Sequence, residues 1–297
     1  MRIYSPMWRY VLLFLSSALF LALLFIGFRS FTDVGILRTR YPRVTFDPKT
    51  EMTTITIVKQ RPVGWVDLGQ VSKVAWSAIV MSEDDAFWTH DGFDWNQMKE
   101  AFEANLQKHK FARGGSTITQ QVAKNVFLSN EKTVIRKLKE AFLTMRLERH
   151  VGKKRILEIY LNVAELGPGV YGIGHASQYY FHKSASQLTA KEGAFLAILL
   201  PSPKRYSVSF RKHALTPFAN DAVANLLGKL LAVHKITAAE YERSLKTPLS
   251  FEADQSPRAV AKIEGPDDED QAPEEVETIT VPETGSESES GQEPAAP

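Results

Sequence analysis

The chain contains no cysteine, which excludes disulfides, thiolate-ligated zinc and a catalytic thiol. It leaves the redox compartment open, because a chain without thiols suits either one. It also lacks an internal repeat, and no metal-site spacing of His and acids appears near His90. Basic residues are missing from one region altogether. The 32 residues from Pro266 to Pro297 hold eleven Asp and Glu and no Lys or Arg. The formal charge of +2 therefore hides a body of 265 residues with 36 basic and 23 acidic groups, followed by a tail of −11. A body that basic favours an anionic partner, whether nucleic acid, acidic lipid or a phosphorylated substrate.

Charge of either sign is absent from Tyr10 to Phe28, 19 residues in a row. As a helix these span roughly 28 Å, close to the hydrocarbon thickness of a bilayer. Cleaved signal peptides have apolar regions of only ~7–15 residues, and no small-x-small cleavage site stands before Arg29, so the stretch reads as a transmembrane anchor. Arg2 and Arg9 before it are matched by Arg29, Arg38, Arg40 and Arg43 after it, and charge bias leaves the orientation open.

With 44% hydrophobic and 24% charged residues over the whole chain, the average composition is that of a globular protein. Residues 1–9 precede the anchor at 10–28, and a polar connector with Pro42 and Pro48 covers 29–52. Thr53 to Val58 alternates as a short strand; little else looks like sheet. From Val71 to about Leu231 apolar residues recur at three and four, so the expected fold class is mainly α. The main domain is placed at 53–215 and a helical extension at 216–253. The acidic tail, 254–297, has too little apolar area to offset its ordering entropy and is expected to be disordered.

Four stretches carry candidate chemistry. Ser82 to Trp95 sets Glu83, Asp84 and Asp85 among Phe87, Trp88 and Phe93, with His90 close behind; crowded carboxyls against an apolar wall are tuned for proton transfer. A solvated helix end beside a core cluster is the bland alternative. Arg113 to Asn125 places two glycines before a helix start, with Thr117 and Gln120 at capping-box spacing. The amides there are candidates to receive an anion, and Gln120 and Gln121 suit a site; otherwise it is a well-capped surface helix. On Lys132 to Arg149, residues Lys132, Arg136, Lys139 and Glu140 fall within a ~100° arc at 3.6 residues per turn, with Val134, Leu138, Phe142 and Met145 as the expected buried stripe. Three cations around one acid suit a diphosphate, although a salt-bridged face has the same pattern. Lys153 to Asn162 is amphipathic with Lys154 and Glu158 four apart. Gly167-x-Gly169-x-x-Gly172 follows a helix instead of a strand, and Ser209-x-x-Lys212 lacks its partner motifs, so both are read as chance. Leu199 to Pro203 ends a buried helix in a proline-stiffened turn.

Taken together and in this order, the motifs resemble those of the glycosyltransferase family 51 peptidoglycan polymerases. E-D-x-x-F-x-x-H-x-G-x-D is met by Glu83, Asp84, Phe87, His90, Gly92 and Asp94, and G-G-S-T-I-T-Q-Q by Gly114 to Gln121. R-K-x-x-E is met by Arg136, Lys137 and Glu140, I-L-E-x-Y-L-N by Ile156 to Asn162, and L-L-P-x-P by Leu199 to Pro203. The resemblance covers roughly Thr53 to Lys212, and no transpeptidase domain follows, as in the monofunctional form.

The resemblance implies a lysozyme-like helical lobe with a smaller, membrane-dipping jaw, on the periplasmic face of a bacterial inner membrane. The implied activity is polymerisation of lipid II onto a growing lipid-linked glycan, with inversion to a β-1,4 bond and release of undecaprenyl diphosphate. It implies Glu83 as the base and Glu140 at the departing diphosphate. The implied substrate-binding set is Lys124, Lys132, Arg136, Lys137, Lys139, Ser116, Thr117, Gln120, Gln121, Asp84, Phe87 and His90. No cofactor is required; a divalent cation, Mg or Mn, would be compatible, but no residue cluster specifies one. Partners would be lipid II, the membrane and cell-wall synthesis or division proteins. The anchor and the missing aromatic-basic platform speak against nucleic acid. Two rival readings stand beside it. A lytic muramidase would protonate a glycosidic oxygen with one carboxyl, with no use for the cation arc, and a non-enzymatic, membrane-tethered wall-binding protein would be indifferent to Glu83→Gln.

Overall fold

A computed structural model describes residues 8–19, 33–108, 115–128 and 133–253. It is mainly helical, as the apolar periodicity leads one to expect. Residues 8–19 are helical, but the expected anchor runs on to 28, outside the described residues. Among the described residues no helix is long and apolar enough to cross a membrane. The acidic tail, Lys132, Arg113 and Gly114 also lie outside them.

The segment read as a polar connector holds more structure than its composition suggests. A 3-10 turn at Val34–Arg38, capped by the Asp33 side chain on the Gly35 amide at 2.9 Å, puts Val34 and Leu37 into the core. Strand β1 (Tyr41–Asp47) then pairs antiparallel with β2 (Met52–Val58), Tyr41 opposite Val58 and Asp47 opposite Met52. Two strands make a sheet with nothing but edges, which is why Pro42 is tolerated inside one of them. Arg155 ties this segment down: its Nε donates to the Leu37 carbonyl at 2.9 Å and its Nη2 to the Arg40 carbonyl at 2.8 Å, while the guanidinium lies over Tyr41 and Trp65.

The helical body has two halves. In one, α1 (Lys73–Glu83) packs on α7 (Ala190–Leu199), and both pack on α10 (Pro217–Ala232). Helix α7 is buried all round and stops at Leu199, before Pro203 opens the short α8 (Pro203–Tyr206). After α9 (Val208–Arg211) and α11 (Ala238–Lys246), the short α12 (Ser250–Ala253) inserts Phe251 between Phe195 and Phe210, with ring centroids 5.0 and 5.4 Å apart. Truncating so buried a ring costs about 3–5 kcal/mol, so residues 216–253 are part of the body's core.

In the other half, α3 (Ile118–Phe127) packs on α4 (Val134–His150) and α5 (Lys153–Val163), with α2 (Trp95–Lys108) nearby in sequence and α6 (Ile173–Phe181) beyond. The glycine-rich stretch read as a plain loop carries a minimal hairpin, β3 (Glu165–Gly167) with β4 (Val170–Tyr171). The Ser209 hydroxyl is buried and accepts from the Thr216 amide at 3.2 Å, in keeping with the chance reading of that motif.

One expectation is overturned. Of the stripe Val134, Leu138, Phe142 and Met145, Phe142 is half-buried, while Val134, Leu138 and Met145 do not face the core and are 79, 57 and 52% exposed. The inward face of α4 is Glu140, Leu143, Thr144 and Leu147. The helix has apolar residues on two faces, and periodicity alone cannot say which of them meets protein. The outward stripe lines a groove of about 820 Å³ together with Phe93, Trp95 and Met98.

Candidate active site

Glu83 is the last residue of α1. Its Oε2 accepts from Gln121 Nε2 of α3 at 2.8 Å and from the Tyr160 hydroxyl of α5 at 3.4 Å. Both donors meet at Oε2; Oε1 takes neither. Burial pushes the Glu83 carboxyl up from the ordinary range and the neighbouring Asp84 charge adds to this, while Gln121, Tyr160 and Lys124 pull it down. The net rise follows the general rule that burial disfavours the charged form. Tyr160, fully buried beside this carboxylate, is pushed well up and stays protonated.

Asp84 is 0% exposed. Its Oδ2 accepts the backbone N–H of Ile118, the first residue of α3, at 2.9 Å, and its Oδ1 faces His90 Nε2 at 2.8 Å. The anion expected at this helix start is therefore the protein's own carboxylate, held where the dipole favours it. Thr117 and Gln120 form the reciprocal capping box. The Thr117 hydroxyl also donates to the Gly92 carbonyl at 2.7 Å. Gly92 has φ +95°, and a Cβ there would stand 2.7 Å from Thr144 Cγ2 of α4, so only glycine fits. Ser116 is exposed just ahead of the cap, and Phe87 is buried against Trp88 with ring centroids 5.0 Å apart.

Glu140 is buried, 2% exposed. Arg136 Nη1 donates to its Oε2 at 3.0 Å, and Lys137 Nζ donates to Oε1. Lys137 takes the place that the arc assigned to Lys139, which is exposed. The reason is helical spacing: residues three and four apart meet, adjacent ones do not. Lys124 stands within electrostatic reach of both carboxylates. Desolvation of its ammonium pushes it down, Glu140 and Glu83 pull it up, and Arg136 and Lys137 push it further down. One ammonium thus feels two unlike carboxylates, Glu83 with neutral donors and Glu140 with a cation on each oxygen. Among the described residues, no group of three or more His, Asp or Glu could hold a metal ion.

The I-L-E-x-Y-L-N element works in two ways. Glu158 takes Arg155 as ion-pair partner instead of Lys154 and accepts the Leu68 amide at 3.0 Å. Asn162 accepts the Val66 amide and donates to its carbonyl, both at 2.8 Å, which clamps the loop beside the site. Sequence reading missed Tyr160 as a partner of Glu83, and also Glu148, Lys153 and Thr119, a part-buried cluster that reaches His90 through Lys153. The 3.6 period offered a signal for Lys153 and Tyr160, since they are seven residues, two turns, apart on α5.

A family model described as Transglycosylase matches residues 49–226 of this chain. The chain belongs to the transglycosylase family. It is 50% identical over 142 residues to the biosynthetic peptidoglycan transglycosylase of Chromobacterium violaceum, covering 48% of this chain and 62% of that one. Against the protein of that name from Nitrosospira multiformis the identity is 43% over 166 residues, covering 56% and 70%. The chain thus spans a little under two thirds of some of these family members. A solved structure, penicillin-binding protein 1A from Haemophilus influenzae, superposes with a TM-score of 0.36 at 20% identity, covering 71% of this chain and 21% of that one.

Proposed function

We propose that this chain is a membrane-anchored peptidoglycan glycosyltransferase that polymerises lipid II by an inverting, single displacement. The observation that carries the reading is the presence of two unlike carboxylates, both within electrostatic reach of Lys124. Glu83 Oε1 takes the proton of the acceptor sugar's 4-hydroxyl as its oxygen bonds to the donor's anomeric carbon. The bond from that carbon to the diphosphate breaks, and the charge that leaves is met by Arg136, Lys137 and Lys124. A diphosphate neutralised in this way departs without a proton, so the mechanism calls for one base and no second acid. A muramidase needs a protonated carboxyl at a sugar oxygen and has no role for cations gathered on Glu140.

The groove between α2 and α4 would serve as the jaw and take the polyprenyl part of the substrate, because its exposed apolar side chains continue from the cation cluster through Lys137. The uncharged run 10–28 would anchor the chain in the inner membrane, with the body on the periplasmic side. The test is direct. Purified full-length protein in detergent is given fluorescent lipid II, and polymer digestible by lysozyme is expected from wild type and not from Glu83→Gln. Cleavage of preformed glycan without polymerisation would favour the muramidase; neither activity, under conditions where a known polymerase works, would favour the tethered wall-binding protein.

A further inference from the structure

Asp84, His90, Lys153 and Glu148 take no direct part in the displacement, yet they are joined in one part-buried chain of contacts. His90 Nδ1 accepts the Gly92 amide at 3.0 Å and faces Lys153 Nζ at 3.4 Å. An ammonium and an amide can only donate, so the ring proton sits on Nε2 and is given to Asp84 Oδ1. The Lys153 ammonium is fixed from two further sides, by Glu148 Oε1 at 2.7 Å and by the Phe87 ring 4.4 Å from its centroid. Glu148 in turn accepts from the Thr119 hydroxyl at 2.5 Å.

Helix α5 therefore touches the 83–90 segment twice from one face. Tyr160 meets Glu83, and Lys153, two turns earlier, meets His90. Asp84 passes the constraint on, because its other oxygen holds the first amide of α3, the helix that brings Gln121 to Glu83 and carries Lys124. We propose that Lys153 is a positioning residue for the transfer reaction, holding the His90 ring from its Nδ1 side together with the Gly92 amide and thereby locking Asp84, α3 and Glu83 in register. The proposal rests on the transferase reading, and the network behaves as a unit because every polar member has a partner.

The experiment compares Lys153→Met with wild type in the full chain, with two readouts. In lipid II polymerisation, kcat is expected to fall about 10–30-fold with KM within about twofold, since Lys153 does not reach the substrate. In ¹⁵N-histidine NMR, His90 is expected to keep the Nε2–H tautomer in both proteins, because the Gly92 amide still donates to Nδ1, while the Nδ1 resonance moves downfield in the variant as one of its two donors is lost. Unchanged kcat, an unmoved Nδ1 resonance, or a loss confined to KM would overturn the proposal. If Lys153→Met does not fold, Thr119→Val weakens the same chain two contacts away from Lys153 and is judged by the same criteria. If wild type makes no polymer, the transferase reading falls, and the Nδ1 resonance still decides whether Lys153 holds His90.

Discussion

Glu83, half-buried, and Glu140, buried, are carboxylates at helix positions that both act on Lys124, and they are solvated by the protein in opposite ways. Glu83 has two neutral donors converging on one oxygen, and burial raises its proton affinity. Glu140 has a cation on each oxygen. Burial alone therefore assigns no role to a carboxyl. Neutral donors leave a group that can still take a proton, whereas cations leave one that organises positive charge for a departing anion.

Substituting one carboxylate at a time separates the two roles. Glu83→Gln is expected to lower polymerisation by at least about 10³-fold, within the range for loss of a general base, while circular dichroism stays unchanged. Its stability is expected to rise at pH 7.5. The folded protein holds the Glu83 proton more tightly than the unfolded chain, so the burial penalty is present above the raised pKa and relieved as pH falls through it. A melting temperature equal to or below wild type would contradict the asymmetry. Glu140→Gln is expected to do the reverse in stability. It leaves Arg136 with a buried, unpaired Nε and without its carboxylate, and should cost about 2 kcal/mol, between an exposed pair and a fully buried one, with kcat down about 10–100-fold.

Gln121→Met sharpens the comparison from the base's side. Removing a donor that lowers the Glu83 pKa should move the acid limb of the kcat/KM profile to higher pH and cost about tenfold at pH 6.5. The groups facing Glu83 that remain are Asp84, Lys124 and Tyr160, and an unshifted limb would mean that another group titrates. The smallest effect concerns the outward face of α4. Leu138→Ser should leave the melting curve within about 0.5 kcal/mol of wild type while raising KM for lipid II several-fold, because a side chain 57% exposed supports the lipid and not the core.

What the sequence disclosed depended on whether the deciding contact was local. The capping box of Thr117 and Gln120, the β2 strand and the proline stop after α7 were legible because each is settled within a few residues. The choice of Lys137 over Lys139 was also local, and spacing rules would have settled it had adjacency on an arc not been taken for contact. The inward face of α4, the Asp84 carboxylate at a helix start 34 residues away and the reach of Lys153 to His90 depend on how helices stack. No period in the sequence encodes that. Strand β1 escaped notice because prolines and charges, which an edge strand tolerates, read as a linker.

The clasp of Arg155 on the Leu37 and Arg40 carbonyls has a further consequence under the proposed anchor. It welds the entry of the chain to the catalytic body from Asp33 onward, so only residues 29–32 separate the end of the span from a rigid block. Four residues reach at most about 14 Å. On so short a leash the working cleft has no freedom to rise from its own bilayer. Encounter with a lipid-borne substrate becomes a search in two dimensions at fixed height, and a growing strand would be spun out in a plane parallel to the membrane surface.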